Sequence, residues 1–154
     1  MTDDLDILIA FESDETRPQS GLITLGPIFS YLKNKGYSEF EREAVLIEGW
    51  AVQFIPVATD LDAEALAAAE PVDIEFGATG SAQSRVLRPE HIVATALRVS
   101  RPRDLIRITQ FLEERAVDIS ALCGVLRRHA LGAAWREFCR RTGVVDPCDL
   151  DSAP

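Results

Sequence analysis

The sequence has no long apolar run, since no segment approaches the ~20 apolar residues that cross a bilayer. Its first residues, 1–4, are acidic and lack the basic start of a signal peptide. Only three residues are cysteines, Cys123, Cys139 and Cys148, and none have CxxC spacing. We therefore expect neither a disulfide framework nor a zinc site. These absences together predict a soluble cytoplasmic protein that does not contact a membrane.

Lysine is also scarce, and both lysines, Lys33 and Lys35, lie in the first half. Residues 1–76 carry 16 acidic and 4 basic side chains, whereas residues 77–154 carry 9 acidic side chains and 12 arginines. Arginine suits planar, bidentate phosphate recognition better than lysine does. Two interpretations stay open: a basic half that binds phosphate, or arginine-rich helix faces that are simply solvated.

A composition of 47% hydrophobic and 27% charged residues is typical of a globular domain. Apolar patterning predicts strands over 5–11, 40–47, 50–57, 72–76 and 84–87. It predicts helices over 22–35, 63–69, 89–98, 102–115 and 133–142. A further helix is predicted to begin at the N-cap Asp118 and to end at 130. We expect one α/β (α+β) domain over 1–143, with a sheet-bearing part (1–88), a helical part (89–143) and a loose tail (144–154).

Three segments share an order of elements with a known family. They are residues 2–9 (TDDLDILI), residues 47–56 (IEGWAVQFIP) and residues 88–104, which end in Arg-Pro-Arg-Asp at a helix start. This order resembles the nucleotidyltransferase-like proteins, which include minimal nucleotidyltransferases and the toxins of abortive-infection systems. The resemblance implies a mixed sheet followed by helices. It also implies that a nucleoside triphosphate is bound and a nucleotide is transferred to RNA, protein or a small molecule.

The first segment contains two carboxylates, Asp4 and Asp6, which we interpret as catalytic metal ligands. Alternate residues of a strand share a face, so both carboxylates are expected to point the same way. Leu5, Ile7 and Ile9 would then pack on the other face. Two carboxylates ~5–7 Å apart can share Mg²⁺ or Mn²⁺ with phosphate oxygens. The alternative is a polar strand start that is exposed to water.

Two departures from the family pattern argue against activity. The family places a strand and helix with a Gly-Ser turn before the carboxylate strand, whereas one residue precedes Thr2 here. The family's third carboxylate is matched by Gln53, an amide that does not take a proton. The nearest acid, Glu48, falls in a predicted turn. We therefore predict that this chain is inactive without the missing element. We also predict that its first strand is uncovered and forms a homodimer or binds another protein. The alternative is that residues 72–76 cover this strand.

The second candidate site lies at the start of the helix over 102–115. Pro102 leaves free backbone N–H groups in the first turn, which attract anions. Arg103 and Arg107 are i,i+4 neighbours whose repulsion an anion would relieve. With Arg101 they form the predicted phosphate-binding residues. The alternative is a surface ion pair between Asp104 and Arg107, with the other arginines solvated.

We interpret the remaining notable side chains as residues with a structural role. The two histidines, His91 and His129, have no acid and cysteine at ligand spacing, so we interpret them as core or surface residues. Trp50, Trp135 and the phenylalanines Phe54, Phe111 and Phe138 are predicted core. The sequence therefore predicts one of two functions. One is a metal-dependent nucleotidyltransferase-like protein, and the other is a non-catalytic interaction module that belongs to a toxin–antitoxin type of pair.

Overall fold

The computed structural model describes residues 4–10, 25–75 and 80–148, and for Asp4 only the backbone. The predicted loop over 12–21, the start of the helix over 22–35, most of the turn over 77–81 and the end of the tail lie outside these residues. The elements are β1 (Asp4–Ile9), α1 (Gly26–Asn34), β2 (Phe40–Glu41), β3 (Ala44–Ile47), β4 (Trp50–Pro56), α2 (Asp60–Ala67), β5 (Glu70–Glu75), β6 (Ser81–Val86), α3 (Pro89–Val99), α4 (Pro102–Glu113), α5 (Ile119–Arg128) and α6 (Gly132–Thr142). Helices fill the C-terminal half, so the predicted mixed α/β class is confirmed.

The chain divides into two compact units, Met1–Ala58 and Thr59–Pro154. The first unit holds a four-stranded mixed sheet in the order β1-β4-β3-β2. β1 runs parallel to β4, while β3 is antiparallel to both of its neighbours. The β3–β4 turn is formed by Glu48 and Gly49, which both have positive φ (49° and 85°) as a tight two-residue hairpin requires.

One face of this sheet packs against α1. Leu32 of α1 and the strand residues Val45 and Val52 are buried, and Ile7 packs against them. The helix begins with Pro27 near its start and presents its apolar residues at helical spacing, as its sequence pattern predicts. The first unit therefore has its own small hydrophobic core.

Two apolar side chains of the first unit differ from expectation. Leu5 of β1 is 53% exposed, although it was predicted to pack behind the strand. Trp50, predicted to be core, is 60% exposed. Trp50 is the first residue of β4 and lies directly after the turn, so among the described residues its strand partner is Ile47 of β3 alone. The prediction for Trp50 is wrong for this reason.

The second unit contains five helices and a hairpin in its described part. Its core is built around fully buried Trp135 and Phe138 of α6, whose rings stack with centroids 5.4 Å apart. Local signals start the helices as predicted: proline opens α3 and α4, and Asp118 caps α5 through its bond from the Ala121 N–H. No helix in the described ranges is long and apolar enough to cross a membrane.

The strands β5 and β6 pair antiparallel in a two-stranded sheet of their own, and most of their side chains are exposed. Arg85 of β6 donates to carbonyls at the end of α2, with Nη2 2.7 Å from Ala69 O and 3.2 Å from Ala67 O. These carbonyls lack helical partners, so the guanidinium satisfies acceptors that would otherwise face solvent.

The cysteines depart from the sequence interpretation, which disfavoured a disulfide. Cys123 of α5 and Cys148 are joined in one, with their Cα atoms 5.4 Å apart, and Cys139 is free and buried. Residues 144–148, interpreted from the sequence as part of a loose tail, pack against α5 and α6 through Val144 and Cys148. The two cysteines are 25 residues apart and meet only because the chain returns to α5 after α6.

Candidate functional site

The carboxylate strand β1 lies beside β4 in a defined register. Asp4 pairs with Ala51 and Asp6 with Gln53. Directly paired residues on neighbouring strands project from the same face, so the exposed side chain of Asp6 lies beside that of Gln53. Because Ile7 and Val52 face α1, Asp6 and Gln53 lie on the opposite face of the sheet.

A further acid, which the sequence interpretation missed, lies next to Gln53. The amide Nε2 of Gln53 donates to Glu43 Oε2 at 3.1 Å. Glu43 belongs to the turn between β2 and β3 and comes within reach of β4 only through antiparallel pairing. The face that holds Asp6 therefore also carries a carboxylate and an amide oxygen, both of which are hard ligands that suit Mg²⁺ or Mn²⁺.

The side chain of Asp4 lies outside the described part of the chain, so the predicted sharing of a metal by Asp4 and Asp6 stays a prediction. Among the described side chains, no group of three or more histidine, cysteine, aspartate or glutamate residues has the geometry of a metal site. A metal at this face would thus draw on Asp6, the Asp4 side chain and amide or water oxygens.

The predicted phosphate-binding arginines lie at the start of α4 in the second unit. Arg101 is the N-cap residue, and its backbone N–H donates to Asp104 Oδ2 at 3.0 Å. Arg101 Nε is 3.8 Å from the same oxygen. Asp104 therefore bonds to Arg101, and the alternative pair of Asp104 with Arg107 is not seen.

Arg103 and Arg107 lie about one helical turn apart on α4. Arg103 is exposed, Arg107 is half-buried, and neither forms an ion pair within the described ranges. Their guanidinium groups remain available to an anion. The carboxylates of β1 and these arginines belong to different units.

A second group of polar side chains meets in the second unit, and we call Glu64, His91, Arg128 and His129 the Glu64 cluster. Glu64 Oε1 accepts from Arg128 Nη2 at 2.5 Å and from His91 Nε2 at 3.2 Å. Glu64 Oε2 accepts from His129 Nε2 at 2.8 Å and from Arg128 Nε at 3.2 Å. One carboxylate of α2 thus receives hydrogen bonds from α3 and from the end of α5.

These donors strongly favour the charged form of Glu64. The hydrogen bonds from Arg128, followed by those from His129 and His91, lower the pKa of Glu64 from 4.5 to about 2 against the opposing effect of burial. An ionised carboxylate only accepts hydrogen bonds. Both histidines therefore donate to Glu64 through their Nε2–H groups.

His91 is 5% exposed, and its second ring nitrogen, Nδ1, has no hydrogen-bond partner among the described residues. A buried acceptor without a donor costs about 1–3 kcal/mol. His91 also lines a cavity of about 460 Å³ between α2, α3 and α5, together with Arg88, Glu90, Ser120, Gly124 and Arg128.

Sequence reasoning missed the Glu64 cluster and assigned both histidines to structural roles. Glu64 precedes His91 by 27 residues and His129 by 65, so no local spacing links them. The only available signal is that Glu64 lies on a helix otherwise rich in alanine. Comparison with protein-family models, with curated proteins and with solved structures finds no match to this chain.

Proposed function

We propose that this chain is a nucleotidyltransferase-like protein that binds a divalent metal and a nucleoside triphosphate. Asp4 and Asp6 hold the metal, and Arg101, Arg103 and Arg107 hold phosphate. The observation that supports this most is the β1–β4 register, which sets Asp6 beside Gln53, whose amide donates to the Glu43 carboxylate. The acceptor would be RNA, protein or a small molecule, and the protein would act in the cytoplasm.

The residues present fit a hard cation better than a soft one, because their ligand atoms are carboxylate and amide oxygens. Bound Mg²⁺ or Mn²⁺ would offset charge on the phosphate oxygens. The strand fixes the backbone of Asp6, so metal binding costs this residue little backbone entropy. Gln53 cannot accept a proton from an attacking hydroxyl, whereas the neighbouring Glu43 can.

Metal binding is tested by titrating Mn²⁺ into the wild type and into a variant with Asp4→Asn and Asp6→Asn. We expect weak but measurable heat for the wild type and none for the variant, because the amides remove both charges. A matched control is Asp73→Asn with Glu75→Gln, which changes two exposed acids with the same spacing on β5. Identical traces for the wild type and the Asp4/Asp6 variant would refute the metal site.

Phosphate binding is tested by replacing Arg103 and Arg107 with glutamine. We expect ATP binding to weaken while the free energy of unfolding changes by less than about 1 kcal/mol, since neither arginine forms an ion pair with a residue that the structure describes. Arg136→Gln with Arg140→Gln alters an i,i+4 pair on α6 and should leave ATP binding unchanged. A large loss of stability with unaltered ATP binding would show that the α4 arginines are structural.

The alternative function, a non-catalytic interaction module of a toxin–antitoxin type of pair, is favoured by a different observation. β1 is the edge strand of the described sheet, and Leu5 on it is exposed. An exposed edge offers unpaired backbone groups to another chain. Failure of both titrations, combined with association through β1, would favour this alternative.

A further inference from the structure

The disulfide between Cys123 and Cys148 holds the segment 144–148, which we call the C-terminal segment, against the helical core. Cys123 lies in the middle of α5, whereas Cys148 follows α6 and is 3% exposed. The closed loop contains all of α6. The disulfide therefore holds Cys148, which follows α6, at the middle of α5.

Weaker interactions hold the same segment. Asp146 Oδ1 accepts from the indole Nε1 of Trp135 at 2.7 Å and from the Cys148 N–H at 2.8 Å. Val144 packs against the core of the unit. Trp135 is fully buried, so its indole N–H depends on Asp146 for its hydrogen bond. Loss of the covalent tie would leave these contacts to hold the C-terminal segment against the core.

The disulfide is also accessible. A cavity of about 420 Å³ is lined by Ile119, Ser120, Cys123, Arg127, Pro147 and Cys148. Cys123 is half-buried, whereas Cys148 is almost fully buried, so an incoming thiol reaches Cys123 more readily. Arg127 is exposed and forms no ion pair with a described residue. A guanidinium beside a disulfide attracts anionic thiols and stabilises the thiolate that leaves.

We propose that Cys123–Cys148 is a thiol–disulfide exchange site, at which an anionic low-molecular-weight thiol of the glutathione class attacks Cys123 through the Arg127 cavity and releases the C-terminal segment. Cytosolic disulfides in proteins of ordinary stability are usually transient or redox-sensing. The remaining cysteine does not serve as the attacking group. Burial, with a smaller effect from Asp146, raises the pKa of Cys139 to about 11, so it stays a thiol.

The chemistry balances in two exchanges. A thiolate attacks Cys123 Sγ, the bond between the two sulfurs breaks, and Cys148 leaves as a thiolate that takes up a proton. A second thiol then attacks the mixed disulfide and frees Cys123. Overall, two small thiols are oxidised to one small disulfide while the protein disulfide is reduced to two thiols.

The first experiment counts thiols after the full chain has equilibrated in glutathione redox buffers and has been acid-quenched and unfolded. We expect one thiol at the oxidising end and three at the reducing end, with one glutathione adduct on Cys123 at intermediate ratios. Three thiols at every ratio would overturn the disulfide. One thiol at every ratio would overturn the exchange.

The second experiment follows the C-terminal segment. Trp50→Phe leaves Trp135 as the sole tryptophan, and reduction should move its emission to longer wavelength and increase its quenching by acrylamide. Cys148→Ser in the same background should show the reduced spectrum without reductant, whereas Cys139→Ser should respond as the parent does. An emission spectrum that is unchanged by complete reduction would overturn the release of the segment.

The third experiment tests Arg127. Arg127→Gln should slow reduction by glutathione about two- to fivefold, the size expected for one exposed ionic contact, and should leave reduction by uncharged mercaptoethanol unchanged. Arg141→Gln, on the exposed end of α6, serves as the control. Equal rates for wild type and Arg127→Gln with glutathione would overturn the role assigned to Arg127.

Discussion

Glu64 joins three polar side chains of the second unit. Its two oxygens accept four hydrogen bonds from three side chains, and those side chains lie on α3 and at the end of α5. A carboxylate that receives charged donors contributes more than a neutral pair does. Removing it leaves Arg128 and the nearly buried His91 without their acceptor.

We expect Glu64→Gln to lower the free energy of unfolding by about 1–3 kcal/mol, the range for leaving buried polar partners unpaired. The measurement is urea denaturation followed by circular dichroism at pH 7. Glu137→Gln is the control, because Glu137 also pairs with an arginine, Arg140, but on the exposed surface of α6. A loss of stability as large for Glu137→Gln as for Glu64→Gln would contradict the importance of the cluster.

The same residue predicts a pH dependence. The pKa of Glu64 is about 2 in the folded chain and 4.5 in its ordinary state, so the folded form binds fewer protons between these values. The stabilising contribution is therefore complete above about pH 4.5 and is lost as the pH falls toward 2. We expect the stability difference between wild type and Glu64→Gln to shrink across this window in urea titrations. A stability difference that stays constant from pH 6 to pH 2.5 would contradict this pH dependence.

At the scale of elements, β1 is the feature that distinguishes the first unit. It pairs with β4 on one side and is the edge strand of the described sheet. Natural edge strands are commonly protected by charges, and β1 combines Asp4 and Asp6 with the exposed Leu5. The strand thus carries both a candidate metal site and a surface suited to another chain.

We expect the wild type to associate through β1 at micromolar concentration, and Leu5→Lys to shift its mass toward the 17.0 kDa of one chain. Light scattering coupled to size-exclusion chromatography measures this. Ile74→Lys changes an apolar residue on β5 that is 42% exposed and should leave the association unchanged. A wild type that stays monomeric at all these concentrations would refute association through β1.

At the scale of the whole molecule, the two units have separate hydrophobic cores. The first is built from Leu32, Val45 and Val52 with their neighbours, and the second from residues between 61 and 148. The second core includes fully buried Trp135, Phe138 and Leu97. It is the larger of the two, and the second unit also contains the Glu64 cluster and the disulfide.

We therefore expect a fragment of residues 59–154 to retain helical circular dichroism and to unfold cooperatively in urea, because all side chains of its core are present. The fragment is large enough for an independent domain. Its thiol count should match that of the full chain, since all three cysteines are included. A fragment without a cooperative transition would show that the second unit requires the first.

The sequence by itself determined most of the helices and the hairpin, because their signals are local. Pro89 and Pro102 open α3 and α4, Asp118 caps α5, and Gly143 with its φ of 75° ends α6. Each of these start and end signals acts through backbone geometry or one nearby hydrogen bond. A few neighbouring residues therefore suffice to predict where the helix begins or ends. The β3–β4 turn at Glu48 and Gly49 is predictable on the same basis.

Only the tertiary structure decided which distant side chains meet. Glu64 reaches His91 and His129 because α2, α3 and α5 pack together, and Cys148 reaches Cys123 because the chain returns after α6. The exposure of Trp50 follows from its place at a strand end beside a turn. Such contacts depend on packing over tens of residues, and no pattern within one helix or strand encodes them.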